Sequence, residues 1–415
     1  MKIWILNHYA SPPDRPVGTR HYDLGRVLAG QGHDVTIFAS SFSHVSFQEE
    51  RLRAGEWVRI EQVDGVRFVW VRTVPYSKNN GRRALNMVSY SVIVMWAQLG
   101  MKRPDVVIGS SVHMAAVAAA CLIGRVRRVP FVFEVRDLWP QALVDMGALS
   151  DGGVVTRALR ELELFLYRRA RVIIILPPRA AEYITRLGIP ASKIVYIPNG
   201  IADYGERISA RDDKTAELLG RVEKLQRSGY LVAGYVGSHV HANSIGTLIE
   251  AARTLRDRGL TNIAFVFVGD GMEKQQNERL ARWHGLENVI FWDGLPKSSV
   301  PAVLEAFDIT LFSLRDISVF KYGLSCNKLF DYLASGRPII SACAVADMPV
   351  QESGGGICVP PEAPEAVADA LVELASMDPA ERQAIGERGR SWVYEHHGTT
   401  ALAGRFLDAL VQAQG

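Results

Sequence analysis

The stretch that decides the fold opens with Lys2-Ile3-Trp4-Ile5-Leu6 and ends with Asp34-Val35-Thr36-Ile37-Phe38-Ala39. Both are short, apolar and β-prone runs, so each reads as a buried strand. Between them lies the loop Ser11-Pro12-Pro13-Asp14-Arg15-Pro16-Val17-Gly18. Tyr22, Leu24, Val27 and Leu28 then recur at helical spacing, and Gly30, Gly32 and His33 close that helix. Strand, helix and strand in so short a stretch imply two parallel strands joined by a right-handed crossover.

The pattern continues outward from this unit. Apolar runs at 66–71, 106–108, 131–135 and 172–176 alternate with helical segments at 85–101, 113–124 and 154–170. That is a doubly wound parallel sheet. Ile197-Pro198-Asn199-Gly200 is a turn, and residues 201–228 are polar, a linker and a helix. The alternation then restarts. Strands are expected at 231–236, 264–268, 289–291, 309–312, 338–341 and 357–359, and helices at 245–256, 274–284 and from 328 to 334. Residues 364–415 read as helical with a break at His396-His397-Gly398. The expected architecture is α/β, with two Rossmann-like doubly wound domains at 1–195 and 196–396. A final helix, 397–415, would return to the first domain. Ligands of open α/β sheets bind at strand carboxyl ends, so the site is expected in a cleft between the domains.

Composition excludes several classes. The 415 residues are 48% hydrophobic and 22% charged, which is ordinary globular usage and neither disordered nor disulfide-dense. The four cysteines, Cys121, Cys326, Cys343 and Cys358, form no CxxC pair, which fits a reducing compartment. The apolar run after Met1-Lys2 is too short for a signal core, so a cytoplasmic chain is expected. The net charge of +3 conceals an asymmetry: residues 1–190 hold 25 Lys/Arg against 16 Asp/Glu, and residues 191–415 hold 22 against 28. The two halves are suited to different partners.

No GxGxxG follows the first strand, and no GxxxxGK[ST] occurs, which argues against dehydrogenases and P-loop enzymes. The segment Lys321–Ile340 carries more. A polar, Gly-containing loop enters a helix with Asn327 and Lys328 in its first turn and Asp331 one turn in. A cation at a helix N-terminus opposes the macrodipole, whereas an anion there is favoured. That conflict points to a bound phosphate, with Asp331 placed to meet ribose hydroxyls. A capped helix with a solvated Lys and Asp would read the same way.

Asp331-Tyr332-Leu333-Ala334-Ser335-Gly336-Arg337-Pro338 resembles the donor-binding signature of GT-B glycosyltransferases of family 4. Gly32-His33-Asp34-Val35, Pro198-Asn199-Gly200, Val268-Gly269-Asp270-Gly271 and Gly285–Gly294 resemble further segments of that family, in order. Asn327-Lys328 ahead of the acidic residue, the run Glu134–Pro140 and the run Thr73–Tyr76 are similar to a bacterial O-antigen and capsule subgroup that includes N-acetylfucosamine transferases. The chain departs from the family at two places. Gly323 stands where a first Glu is usual, and Gly237-Ser238-His239 stands where Arg and Lys are usual.

The resemblance implies a retaining, metal-independent transferase using a nucleotide sugar, UDP-linked by expectation, with no cofactor. Implied donor-binding residues are Gly18, Arg20, Gly237, Ser238, His239, Gly271, Arg315, Asn327, Asp331 and Glu352. Lys328 is the first choice to neutralise the diphosphate, with Arg315 and Lys321 in reserve. Arg20 would add charge or touch the acceptor. Asp137 would orient the acceptor hydroxyl or assist proton removal, and Arg136 would offset developing charge. A structural Arg136–Asp137 pair beside a core Trp139 is the alternative. The acceptor implied is a polyprenyl-diphosphate-linked saccharide at the inner membrane face.

Residues 84–101, flanked by Arg82-Arg83 and Lys102-Arg103, approach the length of a membrane span but contain Asn86, Ser89, Ser91 and Gln98. An amphipathic helix at an anionic lipid surface fits better, and a core helix of the sheet fits equally. Nucleic acid is not expected as a partner, since no recognition motif or basic–aromatic interleaving occurs. Two other functions share the pattern: a nucleotide-sugar 2-epimerase, and a non-catalytic membrane-associated sugar-binding component.

Overall fold

β1 (Lys2–Leu6) and β2 (Asp34–Ser40) are adjacent parallel strands, with Ile3 opposite Val35 and Leu6 opposite Phe38. α1 (Arg20–Gly30) joins them. This computed structural model describes all residues except 14–17, 45, 78–80, 112, 202–211, 318–321, 324–325 and 346–347. The chain divides into two units, Met1–Asn199 with Thr399–Gly415, and Gly200–Gly398.

The first unit continues through β3 (Val58–Val63), β4 (Val66–Val71), α2 (Gly81–Ala97), β5 (Val106–Ser110), α3 (Met114–Arg127) and β6 (Phe131–Val135). α4 (Gln141–Asp145), α5 (Val154–Arg169), β7 (Val172–Ile175), α6 (Ala180–Arg186) and β8 (Ile194–Tyr196) complete its first stretch. Its sheet has the order β3-β4-β2-β1-β5-β6-β7-β8. Every pair is parallel except β3–β4. Its central strands are buried on both faces, as a sheet covered by helices on each side requires.

α2 is half buried. Asn86, Tyr90 and Val94, spaced four apart, face inward, whereas Leu85, Val88, Val92 and Trp96 remain exposed. Asn86 Nδ2 donates to Thr73 Oγ1 (2.8 Å) and to the Val74 carbonyl (2.8 Å), so the NH2 of this buried amide is partnered, whereas its Oδ1 accepts no hydrogen bond among the described residues.

α5 buries a carboxyl. Glu163 accepts from Tyr167 Oη (3.0 Å) and Tyr183 Oη (3.1 Å). Burial pushes its pKa up to about 7, against those hydrogen bonds and Arg160. The folded state therefore holds a proton that the unfolded chain has released, and stability falls as pH rises from about 4.5 through about 7. Glu163→Gln is expected to remove that slope and to stabilise the protein at pH 8 by about 2–3 kcal/mol, read by urea unfolding at pH 5 and pH 8. An unchanged slope would discard this reading.

The second unit begins with α7 (Asp213–Arg227), capped by Asp212 accepting from Thr215 N (3.0 Å). β9 (Leu231–Val236), α8 (Ile245–Asp257), β10 (Ile263–Val268), α9 (Lys274–Trp283), β11 (Val289–Trp292), α10 (Val300–Ala306) and β12 (Ile309–Ser313) follow. Then come α11 (Asn327–Ala334), β13 (Ile339–Ala342), α12 (Pro349–Ser353), β14 (Gly356–Val359), α13 (Pro364–Ser376) and α14 (Pro379–His397). The sheet is parallel throughout, in the order β11-β10-β9-β12-β13-β14. Its order reverses between β9 and β12, so the carboxyl ends of those strands flank a topological switch point. α15 (Thr399–Gln414) belongs to the first unit. Leu402, Phe406 and Leu410 are buried there, and α15 packs on α1.

Among the described residues, no helix is long and apolar enough to cross a membrane.

Candidate active site

The switch point of the second unit gathers one group of candidates. β9 runs into Gly237-Ser238-His239, and Gly269 and Gly271 pack directly against that turn. Both glycines hold positive φ (147° and 155°), and a Cβ on them would lie 1.9 Å from the Gly237 carbonyl oxygen and 2.3 Å from that of His239. Only glycine fits at such positions. Asn243 Nδ2 donates to the Ser238 carbonyl (2.7 Å), closing the loop.

Lys328 projects into this corner from the first turn of α11. Its Nζ lies 3.2 Å from Tyr235 Oη and 3.4 Å from Asn243 Oδ1. It also lies 4.6 Å and 4.9 Å from the ring centroids of Tyr235 and Phe312. A Cβ on Gly237 would approach its stem at 3.0 Å. Cys326 precedes α11 without a side-chain cap, and Asn327 opens the helix beside Lys328. No carboxylate pairs with Lys328 among the described residues.

The neighbouring cations are different. Lys274 Nζ is held by Asp270 (3.0 Å) and Asp293 (2.6 Å). Lys297 is ion-paired with Asp331. Arg315 donates to the His241 carbonyl (3.1 Å) and to Glu362 (3.3 Å). Arg315 thus braces the loop, which weakens it as a reserve for the diphosphate. Lys321 lies outside the described residues. Asp331 is on α11 as expected, but its carboxylate already carries Lys297. Lys297 went unnoticed because it stands 34 positions earlier, in a short 3-10 turn, Lys297–Ser299, with no motif of its own.

His239 is fully buried, and neither ring nitrogen has a hydrogen-bond partner. Burial, with Lys274 and Lys328 nearby, lowers its pKa to about 4, so the ring is neutral at pH 7. Glu352 does not join this group. It is exposed on the last full turn of α12, shortly before Gly355, whose carbonyl accepts from Ile339 N at the amino end of β13 (3.1 Å). The expectation that it meets the donor sugar is corrected: α12 has carried it toward the other end of the strands.

The first unit holds a second group at the carboxyl ends of β1, β5 and β6. Arg20 was expected to face a ligand; it is instead buried and saturated. Its Nε donates to Glu134 Oε1 (2.9 Å), and its other nitrogens donate to the Ile197 and Pro198 carbonyls. It clamps α1 to β6 and to the segment after β8. Gly18 and Thr19 lead into α1, with the Thr19 hydroxyl donating to Asp23 (2.6 Å). Pro16 and Val17 lie outside the described residues.

Glu134 is the residue that the sequence did not single out. Ser110 Oγ (2.6 Å) and His21 Nε2 (2.7 Å) also donate to it. Burial alone would raise its pKa, but His21, Arg20 and these hydrogen bonds hold it well below the usual carboxylate range. Asn7 Nδ2 donates to His21 Nδ1 (2.8 Å), which places the ring proton of a neutral His21 on Nε2. A second chain runs beside it. Ala116 N donates to His113 Nδ1 (3.2 Å), so His113 Nε2 donates to His8 Nδ1 (2.9 Å). Burial lowers the His113 pKa to about 3, with Arg83 adding to the effect, and also lowers that of His8. Both rings are neutral at pH 7.

Arg136 and Asp137 follow β6 directly. Arg136 N donates to Ser111 Oγ (3.0 Å), and Asp137 is exposed. Surrounding protein raises the Asp137 pKa against the opposing charge of Arg136. Among the described residues no three His, Cys, Asp or Glu side chains are grouped to hold a metal ion.

Two α/β units with parallel sheets and polar groups at strand carboxyl ends are the plan of the GT-B fold. Residues 17–200 match the family described as a glycosyl transferase 4-like domain, and residues 231–377 match glycosyl transferases group 1. Each unit is thus similar to its own glycosyl transferase domain, and the two matches follow one another along the chain. It is 24% identical over 383 residues to the putative colanic acid biosynthesis glycosyl transferase WcaI of Escherichia coli K12, covering 88% of this chain and 90% of that protein. It is 28% identical over 260 residues to the 2-deoxystreptamine glucosyltransferase of Streptomyces kanamyceticus, covering 59% and 62%. Sucrose-phosphate synthase of Thermosynechococcus elongatus shares the fold, with a TM-score of 0.72, 16% identity and 98% and 97% of the two chains covered. Anabaena HepE, solved with UDP and glucose, matches with a TM-score of 0.66, 15% identity and 99% of each chain covered.

Proposed function

We propose that the protein moves a sugar, with retention, from a UDP-linked donor to a polyprenyl-diphosphate-linked saccharide during bacterial cell-surface polysaccharide synthesis. The observation that carries the donor side is Lys328. It is a cation at a helix N-terminus, unpaired by carboxylate among the described residues, where Lys274, Lys297 and Arg315 are all paired. A diphosphate supplies the missing counter-charge, and the N–H groups of α11 add to it. The name of WcaI supports the polysaccharide setting, and the UDP and glucose in HepE support the nucleotide.

In this reading Lys328 and Asn327 hold the diphosphate, and the loop of Gly237, Ser238 and His239, backed by Gly271, receives the nucleotide sugar. Asp331 meets the ribose while shared with Lys297. Arg136 and Asp137 position the acceptor. The acceptor oxygen bonds to the anomeric carbon as the bond from that carbon to the phosphate oxygen breaks. The departing phosphate takes the acceptor proton on the same face, so no covalent nucleophile and no metal are required. The charge developing on the diphosphate meets fixed dipoles and one cation, which is electrostatic preorganisation. The exposed apolar side of α2, between Arg82-Arg83 and Lys102-Arg103, suits the cytoplasmic face of the inner membrane, where such an acceptor resides.

Thermal melts with UDP, GDP and CDP test the donor assignment. UDP at about 100 times its Kd is expected to add about 2.7 kcal/mol of stability, seen as a raised Tm. No shift with UDP alongside a shift with another nucleotide would replace the donor, and no shift with any would remove the reading. A donor sugar epimerised without acceptor would move the protein to the epimerase class.

A further inference from the structure

β3 is the terminal strand of the first unit's sheet, so among the described residues its outer edge has no neighbouring strand. Its ladder with β4 fixes which groups lie on that edge. Arg72 N donates to the Trp57 carbonyl (2.9 Å), whereas the Val71 carbonyl, opposite Val58, accepts from Ser41 N on the far side (3.0 Å). Hydrogen-bonded pairs alternate along an antiparallel ladder. Arg59, Glu61 and Val63 therefore bond to β4, and the N–H and C=O groups of Val58, Ile60 and Gln62 point away from the sheet.

Soluble proteins usually blunt such an edge with proline, lysine or a bulge. Residues 57–63 contain neither Pro nor Lys, and all six residues of β3 pair with β4 without a bulge. Trp57, Val58 and Ile60 are 62%, 37% and 57% exposed. The edge is both unpaired and apolar.

The order of its residues identifies what pairs with it. Trp57-Val58-Arg59-Ile60-Glu61-Gln62-Val63 is complementary to its own reverse. With a twofold axis at Ile60, Ile60 meets the partner's Ile60, and Val58 meets the partner's Gln62. All of these are outward-bonding residues, so each pair exchanges backbone hydrogen bonds both ways. Between them Arg59 falls opposite the partner's Glu61, in the non-hydrogen-bonded pairing where side chains approach most closely. Trp70 Nε1 donates to Glu61 (2.6 Å), and Glu56 is ion-paired with Arg59, so both charges are held at the strand. Trp57 comes beside the partner's Val63. An axis at Arg59 would set two arginines against each other, and an axis at Glu61 two glutamates. An axis between residues would turn the bonding groups of one strand away from those of the other.

We propose that β3 pairs antiparallel with β3 of a second copy about a twofold axis at Ile60, which joins two first-unit sheets into one. A contact of this kind uses the same patch on both copies and closes at the dimer. The proposal stands apart from the transferase reading, and its test needs no sugar.

The experiment is sedimentation velocity of the full chain. From about 1 to about 200 µM a monomer–dimer equilibrium is expected, with a Kd on the order of 10 µM, as suits an interface of one strand's length. Ile60→Lys sets two ammonium groups across the axis at an already exposed position. It is expected to raise the Kd at least about 30-fold at an unchanged Tm. Arg59→Glu sets carboxylates opposite each other, and Glu61→Arg sets guanidinium groups opposite each other, so each alone is expected to dimerise at least about tenfold more weakly. Mixed in equal amounts, the two variants face each other with opposite charges and are expected to dimerise within about threefold of wild type. Should either charge variant melt early, Ile60→Lys decides. Wild-type chain that stays monomeric throughout would leave the edge for a strand of another protein and overturn the proposal. So would an undiminished dimer in Ile60→Lys, or well-folded charge variants that stay monomeric when mixed.

Discussion

Lys328→Met is expected to weaken binding of the UDP-sugar about 10–100-fold and to slow transfer about 10²–10³-fold. Methionine keeps the apolar stem that packs over Tyr235 and Phe312 and removes only the charge. The fold should therefore survive, with an unchanged Tm, and the loss should be in the chemistry. The size follows from the surroundings. Lys328 has aromatic faces, an amide oxygen and a phenol oxygen as neighbours, all neutral. Its charge is thus available to a ligand, and in a partly buried corner it is worth more than in water. Lys274→Met is the control. That ammonium is neutralised by Asp270 and Asp293, so donor affinity should stay within a few-fold of wild type. Calorimetric titration with donor, followed by transfer assays, reads both. Wild-type donor affinity and turnover in Lys328→Met would withdraw the diphosphate site.

Glu134→Ala is expected to cost about 3–5 kcal/mol of stability, read by urea unfolding at pH 7. It leaves Arg20 buried without a counter-charge and removes the acceptor from His21 and Ser110. The double variant with Arg20→Ala should cost less than the sum of the two single changes, because each already breaks the same pair. The pH dependence has a definite sign. The folded pKa of Glu134 lies below its ordinary 4.5, so its contribution is complete above about 4.5 and is lost as pH falls toward the folded value. Wild-type protein should accordingly lose stability on acidification more steeply than Glu134→Gln. A cost below about 1 kcal/mol would mean that water reaches this cluster.

The parallel strands other than β8 were legible because hydrophobic runs and punctuating turns are local signals; β8, only Ile194–Tyr196, is too short to make such a run. β3 was not. Its apolar Val58 and Ile60 face solvent, while Glu61 leans inward to accept from Trp70 Nε1 (2.6 Å). The alternation there is inverted from that of a half-buried strand, so the segment did not read as part of the sheet. Lys328 was legible because it violates a local rule, a cation where the helix dipole is positive. Arg20 was misread for a related reason. It opens α1 after a glycine-containing loop, and nothing nearby shows that its charge is met by Glu134, 114 positions away. Glu352 was misplaced because a motif fixes order along the chain, whereas α12 decides which end of the sheet the side chain reaches. Local conflicts are visible in a sequence; their resolution by a distant partner is not.

The return of α15 to the first unit has a consequence for how the chain is made. The second unit, Gly200–Gly398, is inserted between two parts of the first. A ribosome adding about 5–20 residues per second needs on the order of ten to forty seconds to cross it. Throughout that interval the nascent first unit lacks Leu402, Phe406 and Leu410, and the surface they cover on α1 stays open to other chains. The nascent polypeptide thus carries a timed exposure, set by the length of the insertion, that a holdase chaperone is suited to cover.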